Sequence, residues 1–416
     1  MRSHLLASAI LVSLGLMSAP QAFAAAKTKT KTSPPAVSAA QLQQLQAQIE
    51  ALQTQVQQLQ TQSQALQAQS DAQSEVNVTQ AQATEAAQAS ASKVDKLAKL
   101  VDNTKIGGRM FFDLSDVDRT SSGAKTAASG VGLDVKRFYL TVDHSFNDIW
   151  SANLTTDFQY SSAISSTELF VKKAYVQGKF DDAFGLRIGA ADMPWLPLID
   201  KYYGYRYVEN TLNDRMKTAN SSDWGLHAFG DLGTQVNYAF SVVNGAGYKT
   251  LARSKGMDVE GRVAYTPIPN LAIALGAYSG KLGKETDILE AHHTYNRANA
   301  LVAYADSRFR LGGEYFVAKN LNNVLTVATD KISGWSTWGS VALGDNGISL
   351  FGRYDRVDLS KTLDPSLYDK YWNVGVEFPV LKNLKLATVY KYTHQQDISK
   401  IDVKTKEFGV WGDMSF

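Results

Sequence analysis

The sequence predicts an all-β chain, a 16-stranded antiparallel transmembrane β-barrel preceded by an N-terminal α-helical coiled coil, and three observations carry that prediction. The hydrophobic period is 3.5 residues between Gln41 and Val101 and changes to 2 from about Lys105 onward. The period-2 region breaks into sixteen segments of about ten residues, joined alternately by short turns and longer polar loops, as expected of a barrel that crosses a bilayer. Outside the N-terminus there is no run of about 18 apolar residues, so no helix is expected to span a membrane.

Residues 1–24 read as a secretory signal: Arg2 charges a short leader, Leu5 to Leu16 form an apolar stretch, and Ala22-Phe23-Ala24 supplies a small-x-small cleavage pattern. Residues 25–40, with Lys27, Lys29, Lys31, Pro34 and Pro35 among small polar residues, cannot bury enough surface to fold and read as a flexible linker. Residues 41–101 form the coiled coil. Leu42, Ile49 and Val56 occupy a positions and Leu45, Leu52, Leu59 and Leu66 occupy d positions, with Ser63 at the one polar core site. Such a stripe must be covered by copies of itself, so the segment specifies self-association. β-Branched a residues over leucine d residues favour two strands, which leaves dimer and trimer open.

The barrel is expected over residues 104–416. Its first strand sets Ile106, Gly108, Met110, Phe112 and Leu114 on one face against Lys105, Gly107, Arg109, Phe111 and Asp113 on the other, and the rule repeats to the C-terminus. Turns such as Asn147-Asp148, Asp181-Asp182 and Lys382-Asn383 are short, which puts both chain ends on the same rim. The polar face holds glycine, serine and asparagine between isolated charges, and the apolar face carries aromatics such as Trp150, Trp372 and Phe378 near strand ends, where interfacial girdles belong. The fourth strand breaks the rule: in either phase Lys172 or Lys173 would face lipid, at about 2–4 kcal/mol. A bulge or a subunit interface would resolve the conflict.

Arg137-Phe138-Tyr139-Leu140, Lys172-Lys173-Ala174-Tyr175-Val176 and Leu186-Arg187-Ile188-Gly189 leading into Asp192-Met193-Pro194-Trp195 together resemble porins of the phosphate-selective O/P family. The alternating last strand ending in Phe416 is similar to the assembly signal of outer-membrane barrel proteins. The resemblance implies a homotrimeric porin in the outer membrane of a Gram-negative bacterium, with its third long loop folded into the lumen and the coiled coil in the periplasm.

Charge counting is independent of that resemblance. Of 42 Lys plus Arg and 40 Asp plus Glu, seven and five lie in the first 100 residues, so the rest of the chain is neutral overall. What a solute meets then depends on which charges point inward. Alternation places Arg109, Arg137, Arg187, Arg262, Arg297, Arg308, Arg310, Arg353, Lys385 and Lys391 on the polar face, opposed there by eight carboxylates. Arg206 and Arg215 join them from the connection between Asp192 and Ser222, whose length sets it apart from its neighbours. These twelve cations are the candidate anion path.

No catalytic, cofactor or metal site is expected. Cysteine is absent, the histidines are scattered, and the adjacent pair His292-His293 beside Glu290 lacks the one-face spacing of a helical metal pair. No basic stripe suits nucleic acid. The expected function is a water-filled channel for passive diffusion of small hydrophilic solutes and ions, with an anion preference. A second expectation treats the barrel as an anchor and the coiled coil as a tether reaching peptidoglycan.

Overall fold

A computed structural model describes residues 38–161, 166–250, 253–344, 347–397 and 399–416. The expected signal peptide and most of the linker lie outside these residues. The chain divides between Ala91 and Ser92 into two compact units.

The first unit is helical. Helix α1 (Ala39–Asp102) starts at a reciprocal cap: the Gln41 N–H donates to Ser38 Oγ (3.4 Å) and the Ser38 N–H donates to Gln41 Oε1 (3.3 Å). None of its residues is buried. Leu42, Leu45, Ile49, Leu52, Val56, Leu59 and Leu66 are all at least half exposed, so a single chain leaves the heptad stripe uncovered.

The second unit is a closed antiparallel barrel of sixteen long strands among the described residues: β1 (Thr104–Ser121), β2 (Gly130–Ser145), β3 (Trp150–Ser161), β4 (Ser166–Lys179), β5 (Gly185–Asp192), β6 (Ser222–Leu232), β7 (Val236–Val243), β8 (Asp258–Tyr265), β9 (Leu271–Gly280), β10 (Tyr295–Ala305), β11 (Phe309–Lys319), β12 (Lys331–Leu343), β13 (Ile348–Asp358), β14 (Tyr368–Leu381), β15 (Leu384–Gln396) and β16 (Asp402–Ser415). A two-residue piece, Ala124–Lys125, folds back on β1. Each strand pairs with the next, and β1 pairs with β16 from Arg109↔Ser415 to Ser121↔Val403, leaving no free edge. Phe416 completes the seam by exchanging two backbone hydrogen bonds with Gly108, and its ring lies where a Gly108 side chain would stand.

Alternation sorts the two faces as the pattern requires. Ile188, Val263, Leu275 and Val302 face outward and are more than half exposed, while Asp113, Asp157, Arg297, Glu314, Asp355 and Lys391 are buried on the inner face. Outward aromatics pair along the wall, Trp335 with Tyr354 and Trp372 with Tyr390, both at 5.3 Å between ring centroids. One rim carries short turns such as 146–149 and 382–383. The other carries loops such as 193–221, 281–294 and 320–330.

Candidate functional site in the barrel lumen

The connection 193–221 is not an outer flap. It turns into the barrel and forms α2 (Leu196–Tyr203) and the single turn α3 (Leu212–Arg215) against the inner wall. The cause is aromatic and aliphatic content: Trp195, Leu196, Ile199, Tyr203, Tyr205, Tyr207 and Val208 are buried against Phe111, Leu301, Trp338, Phe351, Val389 and Trp411. Tyr205 stacks on Phe351 at 4.1 Å, and Trp195 occupies the space that Gly276 leaves open on β9. Thus, among the described residues, the larger of the buried apolar clusters lies inside the lumen.

Polar groups of the wall then pin the loop. Glu260 accepts the Trp195 N–H (2.9 Å), Glu314 accepts the Leu212 N–H (3.1 Å) and Asn213 Nδ2 (3.0 Å), and Glu377 accepts the Tyr207 hydroxyl (2.8 Å). Wall cations bind the loop's carbonyls: Arg353 to Asn210 (2.7 Å), Arg262 to Pro194 (2.8 Å), Arg310 to Lys201 (3.0 Å) and Lys136 to Val208 (3.1 Å). Most of these contacts satisfy backbone groups of the loop, and the rest satisfy the Asn213 carboxamide and the Tyr207 hydroxyl.

The twelve candidate cations fall into distinct environments. Arg215 pairs with Asp355 (3.2 Å) and Asp369 (2.5 Å), and Lys391 bridges Glu209 (3.2 Å) and Glu407 (2.9 Å), so both tie loop to wall. Arg206 pairs with Asp200 and Asp214 inside the loop itself. Wall pairs hold Arg109 to Asp413 (2.7 Å), Arg137 to Asp157 (3.0 Å), Arg297 to Glu260 (2.8 Å), Arg353 to Asp355 (2.7 Å) and Lys385 to Glu377 (3.3 Å). Arg187 donates to Gln177 (2.8 Å) and lies over the rings of Tyr175 and Phe229. Arg262 and Arg310 donate to neutral acceptors. Arg308 sits in the short turn before β11, with its guanidinium over Phe309 at 5.4 Å.

Two bulges add cations that strict alternation misses. The β3–β4 register jumps from Thr155↔Lys173 to Thr156↔Val171, so the unpaired Lys172 turns inward beside Lys173. Lys172 is buried, with its ammonium 4.6 Å from the centre of the Tyr139 ring, and Lys173 pairs with Asp192 at 2.6 Å. This resolves the fourth strand: neither lysine faces lipid. The β1–β2 register likewise skips Lys136, which then shares the lumen with Arg137. Two adjacent cations in an otherwise alternating strand are the signal that could have located both bulges.

Burial pushes the Asp200 carboxyl up despite Arg206, with Asp214 adding to the rise. Glu209 behaves oppositely: burial alone would raise it, but Lys391 and Lys136 draw it down to about 2. The loop thus carries an ionised carboxylate held by wall ammonium groups. The His293 ring, in the loop 281–294, bonds the Val327 carbonyl (2.9 Å).

Residues 104–196 match the family profile described as phosphate-selective porin O and P. The barrel is similar to the anion-selective porin from Comamonas acidovorans, with TM-score 0.52 and 13% identity over 75% of this chain and 99% of that one. It is also similar to the outer membrane channel DcaP of Acinetobacter baumannii, with TM-score 0.55 and 10% identity over 75% and 97% of the two chains. Pseudomonas putida OprB gives TM-score 0.53 and 10% identity over 78% and 96%. At these identities the likeness is one of fold. No curated protein matches the chain in sequence.

Proposed function

We propose that this chain is an outer-membrane porin related to the phosphate-selective O and P family, whose model residues 104–196 match, and that it conducts small hydrophilic solutes passively and prefers anions. One observation supports this most: a long loop is pinned across a polar lumen by hydrogen bonds and ion pairs, as a fixed constriction requires. The anion preference draws on Lys172, Arg187, Arg262 and Arg310, whose hydrogen bonds go to neutral acceptors and leave their charge available to a passing solute. The anion-selective porin from Comamonas acidovorans shares the barrel fold at 13% identity. Planar-bilayer recording across a salt gradient tests it. A reversal potential of anion-selective sign is expected, and a cation-selective sign overturns the preference.

A second reading concerns the helix, because its leucine stripe is uncovered in one chain. At 64 residues α1 is roughly 96 Å long. We assign it to self-association in the periplasm as a trimer, with peptidoglycan contact as its task. Crosslinking in native membranes should give trimers, whereas dimers alone refute that stoichiometry. Removing residues 39–91 should leave conductance intact. Lost envelope integrity in that variant supports the tether, and unchanged integrity refutes it.

A further inference from the structure

Strand register places an unusual surface on the outer wall of the barrel. One cross-strand row runs Phe240↔Gly261↔Ala277↔Ala298↔Val317 from β7 to β11, so three minimal side chains lie between two large ones. The result is a groove of about 590 Å³ facing away from the lumen, within the roughly 300–1,000 Å³ range of ligand clefts. The next outward-facing row, two residues nearer the long-loop rim, reads Val259↔Ser279↔Asn296↔Lys319↔Lys331. Directly above an apolar groove, then, stand a hydroxyl, a carboxamide and two ammonium groups.

The lysines are the telling part. Lys319 and Lys331 are exposed and directly opposed in the β11–β12 ladder, where like charges repel. Neither forms an ion pair among the described residues. The carboxylate beside them, Asp330, is turned to the N–H groups of Lys331 (2.7 Å) and Thr362 (3.0 Å). Two opposed cations at the edge of an apolar groove call for an anion whose other end is apolar. We propose that this face docks a phosphorylated acyl lipid, with one chain in the groove and the phosphate between Lys319 and Lys331. Ser279 and Asn296, already hydrogen-bonded at 2.8 Å, add polar contacts to the headgroup. The inference rests on the barrel spanning a bilayer and is independent of what passes through the lumen.

Native mass spectrometry of the detergent-purified full chain tests it, with phosphatidic acid, phosphatidylcholine and inorganic phosphate as separate probes. Wild-type protein should retain phosphatidic acid over phosphatidylcholine. The double variant Lys319→Gln plus Lys331→Gln should bind phosphatidic acid about thirtyfold more weakly, the size expected for losing two cationic contacts to an anionic headgroup. Ala298→Phe, which fills the groove, should weaken both lipids. Inorganic phosphate should not displace the lipid. Equal retention of the two lipids, or full retention by the lysine variant, overturns the proposal. Displacement by inorganic phosphate would assign the lysines to a free-anion site instead, and a crosslink from Ala298→Cys to a second copy would assign the groove to a subunit interface. Heat-modifiable gel mobility confirms assembly of each variant; if Ala298→Phe fails to assemble, Ala277→Leu replaces it.

Discussion

At the residue scale, the lumen is governed by contacts that tolerate little change. A Cβ on Gly276 would come within 2.6 Å of the Trp195 ring, so Gly276→Val must push the loop off the wall. The expected penalty is about 1–3 kcal/mol, read as a lower thermal midpoint with altered Trp195 fluorescence. Arg215 and Arg206 should separate in their effects. Arg215→Gln strands the buried Asp369, while Asp355 keeps Arg353, at about 3–5 kcal/mol, and should make single-channel current noisy as the loop loosens. Arg206→Gln leaves the wall contacts intact and frees Asp200 and Asp214 within the loop, so it should move the reversal potential toward cations with the loop in place. Steady current from the Arg215 variant would refute the anchoring role. That arginines occur on the inner face could be read from alternation. Their partners could not, because Arg215–Asp355 and Arg297–Glu260 join positions far apart in the chain, and a period of 2 carries no information about contacts across a lumen.

At the scale of elements, the strands were legible and the bulges were not. Pattern alone locates β9 (Leu271–Gly280) and β12 (Lys331–Leu343) to within a residue or so, since each residue must choose lipid or lumen. Where one extra residue enters, as at Lys136 and Lys172, the rule fails locally because the ladder skips a position. Deleting Lys172 should therefore be tolerated: Val171 and Lys173 keep their faces and the barrel still assembles, minus one cation. Inserting a residue in the middle of β9, which has no bulge, should abolish assembly, and an assembled insertion variant would contradict this account. The loop also has an acid limit. Glu209 has a folded pKa of about 2, below the ordinary carboxylate value near 4.3, so its contribution is fully present above about pH 5 and is lost as pH falls through about 2. Tryptophan emission should be flat from neutral pH to about 5 and change below that, and Glu209→Gln should flatten the part of the change that Glu209 contributes.

At the scale of the whole molecule, the unit of design is a ring whose two ends must meet. Fold class and strand count could be inferred from sequence because a closed sheet leaves the same trace at every strand. The destination of residues 193–221 could be inferred only as far as length and tyrosine content allowed, since burial against ten or more strands is a property of closure. That placement has a consequence for the order of events in biogenesis. The loop touches both sides of the seam: Tyr207 packs on Phe111 of β1, with ring centroids 6.4 Å apart, and shares a cluster with Trp411 of β16. If the loop is seated before β1 and β16 zip together, it serves as an internal mandrel against which the seam closes. Time-resolved refolding into lipid should show Trp195 becoming shielded before the seam forms, as reported by a Gly108→Cys and Phe416→Cys crosslink. Seam closure that precedes shielding would refute the mandrel.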